Sequence, residues 1–98
     1  MIKVIVGYKV KKDADIQPIL HRLKSHAMQF SGFMGEEHFD RFKDNSIVMV
    51  VYTWGSDNDW KEWEKSEIRQ ELLREADPLL VDKPRVTMYT VSTDIRWV

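Results

Sequence analysis

Apolar and polar residues alternate from the start of the chain. Ile2, Val4, Val6, Tyr8 and Val10 share one parity, and Lys3, Ile5, Gly7, Lys9 and Lys11 share the other. A period of two over that length predicts a strand with one buried face. The polar run Lys11–Asp15 breaks it. Ile16, Ile19, Leu20, Leu23, Ala27 and Phe30 then recur at helical spacing, with Asp15 expected as the N-cap and Pro18 in the first turn, where its missing N–H costs little. Ser31-Gly32 ends that helix. Phe33 to Phe42 predicts a second strand, although Glu36, Glu37 and Asp40 are poor strand formers. The turn residues Lys43-Asp44-Asn45-Ser46 lead into a third strand, Ile47 to Trp54, so the pair reads as an antiparallel hairpin. Ser56 and Asp59 have capping-box spacing, with Asp in place of the usual Glu. The helix expected from about Asp57 turns Trp60, Trp63, Ile68, Leu72 and Ala76 inward. Its spacing falters at Ser66, which predicts a kink or a division into two pieces. Pro78 stops it, and Pro84 to Ser92 reads as the last strand.

The order β-α-β-β-α-β over residues 1–98 predicts one α+β domain of ferredoxin-like form: a four-stranded antiparallel sheet with two helices on one face. Two helices cover only one side of such a sheet. Ile47 to Val51 is nevertheless apolar at every position, the pattern of a strand buried on both faces, and Ile5 sits among lysines. The simplest cover for the second face is the same face of another copy, so a homodimer through the sheet face is expected. Trp54, at the end of that strand, is expected to be structural and close to the dimer contact.

Composition narrows the function. The chain has 98 residues, a formal net charge of -1 and 32% charged residues, with no basic excess to favour nucleic acid or an anionic membrane. It contains no cysteine, which excludes disulfides, thiolate metal sites and Cys nucleophiles. No apolar run approaches the roughly 18 residues of a membrane span. The immediate alternation after Met1 does not open a secretory signal, so a soluble cytoplasmic protein is expected. His21 and His26 are five apart on a helix and do not aim at one ion, and no metal site is expected. Gly7, Gly32, Gly35 and Gly55 form no phosphate loop; Gly32 reads as a helix C-cap. Asp57, Asp59, Glu62, Glu64 and Glu67 read as a solvated helix face, with the first two at the positive end of the helix dipole.

The aromatic residues carry the most information. Trp54, Trp60 and Trp63 fall within ten residues, and the last two share a helix face. They are either plain core or the wall of a pocket for a flat ligand. Phe30, Phe33, Met34 and Tyr8 could line the same gap, and buried indoles need partners for their N–H groups.

Three segments together resemble the antibiotic biosynthesis monooxygenase family, whose members are dimeric α+β barrels of ferredoxin-like protomers. They are Ser31-Gly32-Phe33-Met34-Gly35-Glu36-Glu37, Val51-Tyr52-Thr53-Trp54-Gly55-Ser56, and the run from Asp59 to Glu67 that contains Trp60 and Trp63. The likeness covers nearly the whole chain. It implies one of several roles, among them cofactor-free oxygenation of phenols or quinols and haem degradation. The haem-degrading branch uses an Asn on the first strand, a Trp in the second helix and an axial His about three turns further on. In this chain the Trp falls on Trp63, the Asn position on Gly7 and the His position near Leu73, with no histidine after His38. Leucine cannot ligate iron, so haem degradation is disfavoured.

The resemblance therefore implies a cofactor-independent monooxygenase acting on a small aromatic, phenolic or quinol-like substrate, with no cofactor. The alternative is a non-enzymatic dimeric module that binds a small apolar ligand. In the enzymatic reading Trp60, Trp63 and Phe33 sandwich the ring, while Tyr52, Arg69 and Tyr8 offer polar contacts. His38 is the catalytic base by intrinsic pKa. By parity, Phe33, Gly35, Glu37 and Phe39 share one face of their strand and Met34, Glu36, His38 and Asp40 the other. The apolar set is expected inward, which would turn His38 away from the helices.

Overall fold

The computed structural model describes residues 1–93. Strands β1 (Ile2–Lys9), β2 (Phe33–Arg41), β3 (Asp44–Trp54) and β4 (Arg85–Thr90) form one antiparallel sheet in the order β2-β3-β1-β4. Helix α1 (Gln17–Ala27) follows β1, and helices α2 (Asp57–Glu64) and α3 (Glu67–Ala76) follow β3. A 3-10 turn at Asp77–Leu79 ends the second helical stretch at Pro78. This is the expected ferredoxin-like α+β arrangement, with the second helix divided in two. Among the described residues no helix is long and apolar enough to cross a membrane.

The alternation of β1 becomes the floor of the core. Val4, Val6 and Tyr8 face the helices beside Val48, Val50, Tyr52 and Trp54 of β3, all of them buried. Ile19, Leu20, Leu23 and Ala27 of α1, Trp60 and Trp63 of α2, and Leu72 and Ala76 of α3 close over them. The all-apolar run of β3 therefore divides by parity. Val48 and Val50 are core, whereas Met49, 38% exposed, and the half-buried Val51 lie on the open face with Ile5. Trp54 belongs to the helix side, away from the open face, so the expected place near a sheet-face dimer contact is corrected.

Local chemistry sets the helix ends. Asp15 accepts the Gln17 N–H at 2.9 Å, one residue before the cap position itself, Ile16. Ser56 accepts the Asp59 N–H at 3.2 Å and donates its hydroxyl to the Asp59 carboxylate at 2.9 Å, so the N-cap half of the capping box forms and the acid holds the cap through its hydroxyl. The expected fault at Ser66 is a true break. Its hydroxyl donates to the Trp63 carbonyl at 2.7 Å and accepts the Arg69 N–H at 3.3 Å, ending α2 and capping α3 with one side chain.

One irregularity changes which side chains face inward. Phe33 pairs with Trp54 but Gly35 pairs with Thr53, so Met34 is an extra residue in β2, a β-bulge. Gly35 accommodates it at φ +155, in the region that favours glycine. Beyond the bulge Glu36 pairs with Tyr52, His38 with Val50 and Asp40 with Val48. Directly paired residues project to the same face. Glu36, His38 and Asp40 therefore lie on the helix side, and Met34 is 60% exposed.

Candidate functional site

Two layers meet between the sheet and the α2–α3 pair. The first is aromatic. Trp54, Trp60 and Trp63 are completely buried. Phe33 meets Trp54 edge-on, with ring centroids 5.4 Å apart, Trp54 meets Trp60 at 6.3 Å, and Tyr52 lies 5.9 Å from Trp60. Trp63 packs edge-on against Phe30 at 5.0 Å. The packing is dense, yet among the described residues none of the three indole N–H groups has a hydrogen-bond partner. A buried donor left unmatched costs about 1–3 kcal/mol. Three on one side of a sheet are a standing demand for acceptors.

The second layer is ionisable. The Glu36 side chain is 2% exposed, and one of its oxygens, Oε2, is held by Nε2 of His38. The other, Oε1, is buried without a partner among the described residues. His38 exposes 27% of its side chain, and its backbone lies on the edge strand of the sheet. Arg69 is buried at 6% exposure, and its guanidinium carbon lies 5.2 Å from the centre of the Trp60 ring. The helix break makes this placement: Glu64, at the end of α2, has a free carbonyl, which Arg69 Nη1 reaches at 3.3 Å and Gln70 at 2.9 Å.

Tyr8 and Tyr52 complete the layer. Burial pushes the Tyr8 hydroxyl up to about 12, with Arg69 pulling it down and Glu36 pushing it further up. Burial also raises Tyr52 well above the ordinary tyrosine value, helped by Tyr8 and Glu36 and opposed by Arg69. Both phenols stay neutral at ordinary pH, and both sense Glu36 and Arg69. Glu36, Tyr52, Trp60 and Arg69 thus follow one another across β2, β3, α2 and α3.

The parity reading of His38 is corrected. It projects to the helix side because the Met34 bulge reverses the alternation between Phe33 and Glu36. Phe33 and His38 therefore share a face although they are of opposite parity. Glu36 escaped the sequence reading because an acidic residue in a polar strand reads as solvent-facing. The only sequence signal for it is Gly35, which permits the bulge. Among the residues read as substrate-contacting, Phe33, Tyr52, Trp60 and Arg69 form a connected group, and Trp63 sits beside Phe30 in the same core. Leu73, near which the resemblance would put an axial histidine, packs partly buried against that core. Among the described residues no three His, Cys, Asp or Glu side chains gather as a metal site would need.

A concavity of about 380 Å³ lies elsewhere, on the open face of the sheet, with Ile5, Gly7, Met49 and Thr87 as its floor and Lys9 and Arg85 at its rim.

No family model matches the chain, and no curated protein matches its sequence. Solved structures do match. A candidate antibiotic biosynthesis monooxygenase from Deinococcus radiodurans superposes with a TM-score of 0.88 at 11% identity, covering 100% of this chain and 99% of the other. A structure described as antibiotic biosynthesis monooxygenase gives 0.84 at 17% identity over 95% of this chain and 100% of the other. SnoaB, a cofactor-independent oxygenase from Streptomyces nogalater, gives 0.85 at 8% identity over 96% and 95%. At such identities the likeness is one of fold: this protein is a ferredoxin-like α+β domain with the backbone arrangement of structures described as antibiotic biosynthesis monooxygenases.

Proposed function

We propose that the protein is a cofactor-independent monooxygenase of a small phenolic or quinol-like molecule, working in the cytoplasm as a homodimer. The observation that carries this reading is the buried Glu36 carboxylate in contact with the partly exposed His38, with Oε1 lacking a partner among the described residues and so able to take a proton. A quinol or anthrone supplies its own electrons once deprotonated. A hydroquinone and O2 yield a hydroxyquinone and water; an anthrone methylene and O2 yield a carbonyl and water. Atoms and electrons balance in both without another reductant. The protein must bind the ring, exclude water and hold the base. Trp60, Trp63 and Phe33 supply the apolar enclosure, Glu36 takes the proton, and the partly exposed His38 passes it to solvent. SnoaB, of the same fold, is described as a cofactor-independent oxygenase.

Oxygen consumption with a panel of hydroquinones and anthrones tests the activity. Trp63→Phe, which keeps the apolar bulk but loses the indole N–H, should lower kcat/KM about tenfold, the worth of one buried hydrogen bond to a charged oxygen. No consumption with any compound would favour the second reading, a ligand-binding module without catalysis, which the tight edge-on packing of Trp63 on Phe30 supports.

The dimer is proposed through the open sheet face. Phe39, Met49 and Tyr89 there are 48%, 38% and 55% exposed, and Ile5, Ile47 and Val51 continue the apolar surface. Sedimentation should give twice the protomer mass at micromolar concentration, and a monomer mass would rule the dimer out.

A further inference from the structure

Arg69 is a buried cation without a carboxylate partner among the described residues. Among the described residues its side chain makes one hydrogen bond, to a backbone carbonyl, and stacks on Trp60. Glu36 is the buried anion of the same layer, and its Oε1 has no donor among the described residues. The two do not pair with each other, although an uncompensated charge in an interior is costly. The groups around them are Tyr8 on β1, His38 on β2 and Tyr52 on β3, alongside Trp60 on α2. An interior that holds both a cation and a carboxylate oxygen without ionic partners among the described residues suits a ligand with an acid hydrogen and an oxygen that can carry charge.

We infer that Arg69, lying over the Trp60 ring that Tyr52 also meets, is an oxyanion seat that holds the ligand's phenol in its ionised form, so that the site selects ionisable phenols over neutral rings of the same shape. The inference rests on the oxygenase reading for its base and deepens it by naming the chemical form bound. The phenol O–H bond breaks, its electron pair stays on the phenol oxygen beside Arg69, and the proton goes to Glu36 Oε1. Before transfer the interior holds a carboxylate and a guanidinium; afterwards it holds a phenolate and the same guanidinium. The number of buried charges is unchanged, so low polarity does not oppose the step as it would for an isolated phenol. The tyrosines remain neutral donors because burial keeps them protonated. Arg69 contacts the substrate oxygen in this scheme and determines specificity.

The test uses 4-nitrophenol, whose phenolate is coloured, and 4-nitroanisole, which has the same shape and cannot ionise. With saturating protein, bound 4-nitrophenol should ionise about one pH unit below its value in buffer, a tenfold shift in the equilibrium. It should also bind more tightly than 4-nitroanisole at neutral pH. Arg69→Met should return the ionisation to the buffer value or above it, and Arg69→Lys and Tyr52→Phe should each remove part of the shift. If Arg69→Met does not fold, the Lys and Phe variants decide the matter. An unshifted or raised ionisation in the wild-type protein, a shift untouched by these variants, or failure to bind 4-nitrophenol would each overturn the inference. Oxygen consumption by hydroquinones with an unshifted nitrophenol would overturn it alone and leave the oxygenase reading standing. A shifted nitrophenol without oxygen consumption would do the reverse.

Discussion

Glu36→Gln is expected to lower kcat/KM for oxygen consumption by about 10²- to 10⁴-fold, the usual contribution of a positioned general base. Glutamine has nearly the same shape, so the packing beside Tyr52 and the contact with His38 can persist while the proton acceptor is lost. Glu36 is the residue to change because its side chain is 2% exposed and its Oε1 lacks a donor among the described residues, whereas His38 exposes 27% of its side chain and faces solvent as well as Glu36. His38→Gln should therefore cost less than Glu36→Gln, since a carboxylate that has lost its relay still accepts a proton. Steady-state rates for the two variants, on the best hydroquinone or anthrone, give the comparison. If Glu36→Gln stays within a factor of a few of wild type, Glu36 is not the base. If His38→Gln is the more damaging, the roles are reversed.

Trp60→Ala is expected to destabilise the fold by about 3–5 kcal/mol, the range for removing a large aromatic from a core. Against the usual total of about 5–15 kcal/mol, such a loss takes a large part of the stability. Trp60 is the contact point of the second helical stretch. It meets Trp54 and Tyr52 of β3, and the Arg69 guanidinium of α3 lies over its ring. Alanine leaves a void bounded by strands and helices that cannot collapse together without moving the sheet. It also removes the stacking surface of a buried cation. Urea unfolding of Trp60→Ala, with Trp60→Phe as the volume-sparing control, measures the effect. A loss under about 1 kcal/mol for the alanine variant would mean that the α2 contact relaxes freely, contrary to the close packing of a core.

The two predictions draw on residues of very different visibility in the sequence. Trp60 was legible as an inward residue because its helix has a regular period and a capping signal at Ser56. Glu36 was not. In the sequence it is one of three acidic residues in a poor strand, and the parity rule assigns it to the side away from Phe33. The bulge at Met34 reverses that assignment from Glu36 to Asp40, where the register shifts again. A bulge is a property of how β2 pairs with β3, and neither strand encodes it as a period. Gly35 permits the distortion without announcing it. His38 follows the same logic, named for its intrinsic chemistry and then placed on the wrong face.

The helix break shows the opposite case. Ser66 interrupts the apolar spacing and is itself a capping residue, so both the interruption and its remedy are local. Its consequence is tertiary. Ending α2 there frees the Glu64 carbonyl, and Arg69 bonds to it while lying over Trp60. Local spacing and capping chemistry are written residue by residue, so the chain alone reveals its strands, its helices, their order and the apolar faces they must bury. Which charged side chains end up inside depends on register between strands distant in sequence and on how helices settle over them. Glu36 and His38 share a face by their spacing alone, but that this face is the helix side, and that Arg69 approaches Trp60, is decided only by the assembled sheet and helices.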